Sequence, residues 1–346
     1  MTCNNILETI GRTPLIRLNK VTEGVRATVY AKCEGFNPGH SAKDRIALHM
    51  VEEAEKNGQL KRGGTLIEAT SGNTGFSLAM VAAIKGYRCV LTVTSKGSRE
   101  KIDMLEAMGA EVIVCPKEAK PEDPRSYYKV AERKAREIPN SLYINQNFNT
   151  QNSMAHYLTT GPEIWEQTQG KITCLIASAG TGGTLSGTAQ YLKEKNPNIR
   201  IIGVDAYGSA LKKYHETGEY DEKEIYSYQI EGTGKNIIPA NCSFELIDKF
   251  VKVSDKESAF RARELATMEG ILAGYSSGAG VQALLQIQYE FTENDIVVLI
   301  FPDHGSKYLG KVFNNKWMEE QGFFETLETV DPDDVPVPTA FYMPSV

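Results

Sequence analysis

The sequence predicts an α/β fold in which parallel strands carry helices on both faces, and three observations support that class. Short apolar runs rich in β-branched residues recur along most of the chain. Helix-like segments alternate with them, which is the order that produces parallel sheets. The runs are nearly continuous in hydrophobicity, as strands buried on both faces must be.

In chain order, the first pattern is helical: Ala47, Met50, Val51 and Ala54 follow Ser41, with Asp44 three residues beyond the serine in an arrangement like a capping box. Lys43 then falls in the first turn. The strand TLIEAT (65–70) leads through TSGNTG (70–75) into the helix FSLAMVAAIKG, and RCVLTVT (88–94) and EVIVC (111–115) read as further strands. Residues 116–127 form a polar, proline-punctuated loop. The strand ITCLIAS (172–178) leads through SAGTGGT (178–184) into the helix LSGTAQYLKEK, and IRIIGVDA (199–206) is the next strand. Residues 213–231, acidic and poor in pattern, are expected to be a mobile surface insertion. GYSSGAG (274–280) precedes the helix VQALLQIQYEF, with Ser276 or Ser277 as the default N-cap, and DIVVLIF (295–301) is the last strand. The closing VDPDDVPVPTAFYMPSV, with four prolines, is expected to be a loosely attached tail. No internal repeat is present, so at most two domains are expected.

Composition narrows the function classes. The 346 residues are 41% hydrophobic, enough for a large core. With 38 basic and 44 acidic side chains the net charge is −6, and no Lys/Arg stripe follows a phosphate backbone, so nucleic acid is not an expected partner. No segment approaches the ~20 apolar residues of a membrane span, and the start lacks a basic region followed by a long apolar stretch, so a soluble, cytoplasmic protein is expected. Cysteines 3, 33, 89, 115, 174 and 242 stand singly, with no metal-ligand or redox spacing, and read as small apolar core residues. No metal site is expected. The histidines at 40, 49, 156, 215 and 304 accompany no Gly-x-Ser-x-Gly elbow, so triad hydrolysis has little support, and His49 and His215 read as structural.

Chemistry concentrates in four segments. In NPGHSAKDR (37–45), Lys43 sits where the positive end of a helix dipole disfavours its charge. A solvated lysine beside Asp44 is the ordinary reading; a lysine kept uncharged to attack a carbonyl is the sharper one. TSGNTG presents main-chain N–H groups at a strand-to-helix turn, suited to a carboxylate or phosphate, or else is a tight turn with an asparagine cap. SAGTGGT can wrap a phosphate or simply turn the chain; it is neither a P-loop nor a dinucleotide fingerprint. GYSSGAG alone says little.

Together and in this order, NPGHSAKDR, TSGNTG, SAGTGGT and GYSSGAG resemble the fold-type II pyridoxal 5′-phosphate (PLP) enzymes, specifically the β-replacement group containing cysteine synthase and cystathionine β-synthase. NILETIGRTPLIRLN and NSMAHYLTTGPEIW (152–165) are similar as well, so that the likeness spans roughly residues 4–320. The resemblance implies two open, twisted, mostly parallel sheets flanked by helices, like the tryptophan synthase β subunit. It implies a smaller mobile domain over 44–148, a larger phosphate-binding domain over 1–43 plus 149–325, and a proline-rich tail over 326–346.

For the site, the resemblance makes Lys43 the Schiff-base lysine and the base that removes the substrate Cα proton. Asn73 would bond the cofactor's 3′ oxygen, and Gly180, Thr181, Gly182, Gly183 and Thr184 would hold its phosphate. Thr70, Ser71, Asn73, Thr74 and Gln146 would take the substrate, the hydroxyls and amide of Thr70, Ser71, Thr74 and Gln146 on its carboxylate; Ser276 would face the pyridine nitrogen and Gly232 would line the mouth. A neutral serine there, rather than an aspartate, leaves the ring a poorer electron sink and favours β-elimination to an aminoacrylate followed by thiol addition. The implied reaction joins L-serine, or an activated serine or cysteine, to a thiol such as homocysteine. The alternatives are O-acetylserine plus sulfide, or cysteine consumption that releases sulfide and forms lanthionine. A homodimer is the expected assembly.

FPDHGSKYLGKVFNNKWMEEQGF resembles the cystathionine β-synthases more than the cysteine synthases, notably in Asp303, Tyr308, Trp317 and Met318. The haem-binding extension of the animal enzymes and the length for tandem nucleotide-sensing domains are lacking, so activation by S-adenosylmethionine is not expected. His40, Ala42, Tyr207 and Lys235 depart from the commoner relatives and are expected around the substrate pocket.

Overall fold

The computed structural model describes residues 2–70, 72–95, 99–120 and 122–324. The expected tail at 326–346 lies outside them, as does Ser71. Two sheets organise the chain. A six-stranded sheet has the order β1 (Leu15–Arg17), β2 (Thr28–Cys33), β10 (Ile296–Phe301), β7 (Cys174–Ser178), β8 (Arg200–Ala206), β9 (Lys249–Val253), parallel except for the β1–β2 edge. A four-stranded, fully parallel sheet has the order β5 (Glu111–Cys115), β4 (Arg88–Thr94), β3 (Thr65–Ala69), β6 (Ser141–Tyr143). The class and the mostly parallel two-sheet arrangement are those the sequence led to.

The six apolar runs became strands to within two residues at each end. The central ones, β3 and β7, are buried at every position, which is why they lack polar alternation. Four strands escaped the sequence pattern. β1 and β6 have only three residues each, while β2 (TVYAKC) and β9 (KFVKV) are interrupted by lysines.

Helices pack on both sheets. α1 (Lys43–Lys56) places Ile46, Ala47, Met50, Val51 and Ala54 into the core of the four-stranded sheet, alongside α2 (Asn73–Lys85). α7 (Gly183–Lys195) and α10 (Tyr275–Gln286) follow the glycine-rich turns as expected. Three local readings are corrected. Ser41 does not cap α1: Ala42 holds that position without a side-chain bond, and Asp44 reaches back to accept from the Gly39 N–H at 2.5 Å and from Ser77 Oγ at 2.5 Å. Neither Ser276 nor Ser277 caps α10; Gly274 does, leaving both serines in the first turn. The 213–231 stretch is mostly exposed over 216–227, as a surface insertion should be, but it is not without pattern: α8 (Leu211–Thr217) starts it, a 3₁₀ turn at Glu222–Glu224 follows, and Tyr228, Ile230 and Glu231 line the main cavity. Residues 116–120 and 122–126 contain neither helix nor strand, in line with the loop reading.

Candidate active site

Parallel sheets gather loops at the carboxyl ends of their strands, and ligands bind there. In this chain β3 leads to the Thr70–Thr74 turn, β7 to the 180–184 loop, and β10 to Pro302 and Asp303. These loops meet around one cavity of about 380 Å³, within the size of small-molecule sites. Its wall includes Lys43, Thr70, Asn73, Thr74, Gln146, Gly180, Thr181, Gly182, Thr184, Gly232 and Ser276. Of the residues expected at the site, Gly183 lies just behind the lining as the first residue of α7.

Lys43 is pinned from below. The Ala42 N–H donates to Pro302 O at 2.8 Å, Ser41 bridges to Asp303, and the Lys43 N–H donates to Ser41 Oγ at 3.3 Å. Its side chain faces the cavity, with neither hydrogen bond nor ion pair to its amine among the described residues. Burial pulls the Lys43 pKa down, against the opposing charges of Asp303 and Glu34. An amine in that state is closer to nucleophile and base than a solvated lysine is.

The 180–184 loop forms a closely packed cradle. Gly182 sits at φ +86°, and a Cβ there would come within 2.6 Å of the Cys242 Cβ, so both conformation and packing demand glycine. The first turn of α7 leaves its N–H groups without intrahelical acceptors, and the dipole there favours an anion. Two hydroxyls are fixed beside it: Asn152 Nδ2 donates to Thr181 Oγ1 at 3.0 Å, and Thr184 Oγ1 is hydrogen-bonded with His156 Nε2 at 3.1 Å. Buried His156, whose Nδ1 pairs with Thr160 Oγ1 at 2.8 Å, is driven down to about 3 by desolvation and stays neutral. A histidine left unassigned by its sequence context thus supports the cradle.

On the opposite sheet, Thr74 Oγ1 donates to Gln146 Oε1 at 2.6 Å, joining two residues expected to bind a carboxylate. Asn73 is held on both sides: its Nδ2 donates to Asp303 Oδ2 at 2.8 Å, and its Oδ1 accepts from Lys307 Nζ. Tyr308 OH also donates to Asp303 Oδ2, at 2.7 Å. Gly274 is obligatory here, because a Cβ would fall 1.8 Å from Asp303 Oδ1. Ser276 is buried, and its carbonyl accepts from Ser178 Oγ at 3.1 Å.

Several lining residues had no signal of their own. Tyr127, Tyr128, Tyr228 and Glu231 come from loops and helix starts that only the tertiary fold brings inward. Glu231 pairs with Lys101 at 2.7 Å and with Lys311, tying α3 (Arg99–Ala107) to the segments on the other side. Of the four departures, Lys235 lines the cavity; His40 borders a neighbouring depression, its ring centroid 5.4 Å from that of His304 and tilted by 51°; Ala42 and Tyr207 line neither. Expecting those two around the pocket was wrong: Ala42 is buried under Pro302, and Tyr207 is half exposed.

Comparison with known proteins agrees with this geometry. The profile described as "Pyridoxal-phosphate dependent enzyme" matches residues 6–303. The cystathionine β-synthase of Apis mellifera is 46% identical over 323 residues, 93% of this chain and 63% of that protein. A cysteine synthase of Staphylococcus aureus is 40% identical over 311 residues, 88% of this chain and 95% of that protein. The crystal structure of an O-acetylserine dependent cystathionine β-synthase from Helicobacter pylori superposes with a TM-score of 0.82 at 36% identity, over 90% of this chain and 98% of that one. The chain spans about six tenths of the length of the curated cystathionine β-synthases it matches. On its sequence, its fold and the residues assembled in its cavity, the chain belongs to the family of pyridoxal-phosphate dependent enzymes.

Proposed function

We propose that this chain catalyses β-replacement on L-serine, or an activated serine or cysteine, with a thiol acceptor, and that serine plus homocysteine, giving cystathionine, is the pair it serves. The observation that carries the reading is the unpaired Lys43 amine in one cavity with the 180–184 cradle and the Thr74–Gln146 pair. The residues fit the cofactor: a phosphate matches the N–H groups and hydroxyls of the cradle, and Thr233 Oγ1, buried at the wall with no hydrogen-bond partner among the described residues, is a further polar contact to offer. When bound, pyridoxal 5′-phosphate supplies an electron sink for negative charge at the substrate Cα.

In this reading Lys43 holds the cofactor and moves the Cα proton, its lowered proton affinity matching that task. Gly180 to Thr184 grip the phosphate, Asn73 orients the ring's oxygen, and Ser276 presents a neutral hydroxyl rather than a carboxylate to the ring nitrogen. Thr70, Ser71, Thr74 and Gln146 orient the substrate carboxylate, and Gly232 keeps the mouth open. Residues 44–148 act as a smaller, mobile unit, and the Lys101–Glu231 pair is one of the contacts that join it to the larger one, with Asn73 to Asp303 and Lys307.

A second reading, O-acetylserine with sulfide, is supported by the likeness to the Staphylococcus cysteine synthase, while the name of the Helicobacter enzyme supports O-acetylserine as the donor alone. Steady-state assays crossing serine, O-acetylserine and cysteine with homocysteine, cysteine and sulfide separate the two. Turnover confined to O-acetylserine with sulfide would overturn the leading one.

The same proposal includes a homodimer and a cytoplasmic location. Exposed Ile6 and Phe36 are apolar surface that a second copy would cover, and light scattering on the purified chain tests it. The six cysteines are all unpaired, as suits a reducing compartment, and no described helix is long and apolar enough to cross a membrane.

A further inference from the structure

Around the cavity, acids and bases are unevenly satisfied. Glu231 is paired with Lys101 and Lys311, and Asp303 accepts from Asn73 and Tyr308 while its charge acts on Lys43 and Lys307. Lys235 has no such partner: its amine lines the cavity with neither hydrogen bond nor ion pair among the described residues. Its main chain is clamped, its N–H donating to Ser209 Oγ at 2.8 Å while its carbonyl accepts from the Ala210 N–H at 2.9 Å and from Ser209 Oγ at 3.1 Å. A fixed backbone therefore delivers a free amine into the site.

The acid that Lys235 feels is Glu68, buried on β3 and accepting N–H bonds from Ala69 and Gln146. Burial pushes Glu68 up to about 8, and its oxygens accept main-chain N–H bonds instead of pairing with the lysine. Burial, and then the neighbouring Lys43, pulls Lys235 down to about 8, against the opposing pull of Glu68. The acceptor half of the reaction brings in a second amino acid, hence a second carboxylate, while the Thr70–Gln146 side is assigned to the first.

We infer that Lys235 is a specificity-determining residue whose ammonium anchors the carboxylate of an amino-acid thiol, so that the site prefers a carboxylate-bearing acceptor to a neutral thiol or sulfide. The inference rests on the β-replacement reading. It is tested with the cofactor-loaded chain, one donor at saturation, and 3-mercaptopropionate, 2-mercaptoethanol, homocysteine and sulfide as acceptors. Losing a charge-assisted contact is worth about 10- to 100-fold. In Lys235→Met, the ratio of kcat/KM for 3-mercaptopropionate to that for 2-mercaptoethanol should fall by about that factor, through KM, with homocysteine falling likewise. Lys235→Arg should recover most of it. A Lys235→Met protein in which all acceptors fall alike, or in which only the donor KM rises, overturns the inference while the reading stands. A wild-type chain that uses sulfide alone also overturns it. A wild-type chain that uses none of the four acceptors takes down both.

Discussion

Lys43 and Arg45 lie two residues apart on α1, point to different surroundings, and obey opposite rules. Arg45 enters a closed network: Nε donates to Glu34 Oε2 at 2.7 Å, Nη1 to Glu163 Oε1 at 2.6 Å, and Nη2 to Glu34 Oε1 at 2.8 Å. Lys32 completes it, donating to Glu163 Oε2 and Thr13 O, both at 2.7 Å. Two buried cations meet two carboxylates there, and every charge has a partner. Around the cavity the amines of the lysines at 43 and 235 have neither hydrogen bond nor ion pair among the described residues. A buried charge that is fully paired organises the fold, whereas one left open is available to a ligand.

The strongest way to break this contrast is Lys43→Ala. Turnover should fall by about 10²–10⁴-fold or more, while the urea midpoint barely moves, because no native partner is orphaned. A stability loss equal to that of the Arg45 network would erase the distinction. Next comes Glu34→Gln, which leaves Arg45 and Lys32 short of a carboxylate; equilibrium unfolding should show a loss of about 3–5 kcal/mol.

The pH dependence sharpens the comparison. Arg45 beside it holds Glu34 down to about 2 despite its burial, so its contribution is complete above the unfolded value and is lost as pH falls toward 2. His156, neutral behind the cradle, falls to about 3 in the folded state. The unfolded chain therefore binds the extra proton between about 6.5 and 3, and stability declines as pH falls through that window by up to ~1.4 kcal/mol per unit. His156→Gln should flatten the upper part of that slope in urea titrations from pH 7 to 5. The smallest effect belongs to Lys101→Met at the partly exposed Glu231 pair, a stability change of ~1 kcal/mol or less.

The closed and open clusters also differ in how legible they were. The 180–184 and 70–75 turns could be read because a glycine-rich stretch between a buried strand and a helix is a local pattern with a local cause. Lys43 was legible through its place in a helix's first turn. The partners of Arg45 could not be read, since Glu34 and Glu163 stand far apart in sequence and meet only when the fold closes. Lys235 stood out as a departure from relatives, but nothing local reveals that Ser209 clamps its backbone or that Glu68 lies on the other sheet. The same holds for β2 and β9, whose lysines break an apolar run for reasons that only their neighbours explain. Lys32, fully buried in β2, is tolerable solely because Glu163, Thr13 and Gln167 surround its amine.

Two unpaired amines in one cavity make a spectroscopic comparison the most direct test of which of them holds the cofactor. Wild type, Lys43→Ala and Lys235→Ala should each be reconstituted with pyridoxal 5′-phosphate and scanned in the visible, with far-ultraviolet circular dichroism as the control for folding. Loss of the wild-type visible band in Lys43→Ala alone, with the fold intact, is the expected result. A band that persists in folded Lys43→Ala, or that disappears with Lys235 instead, would contradict it.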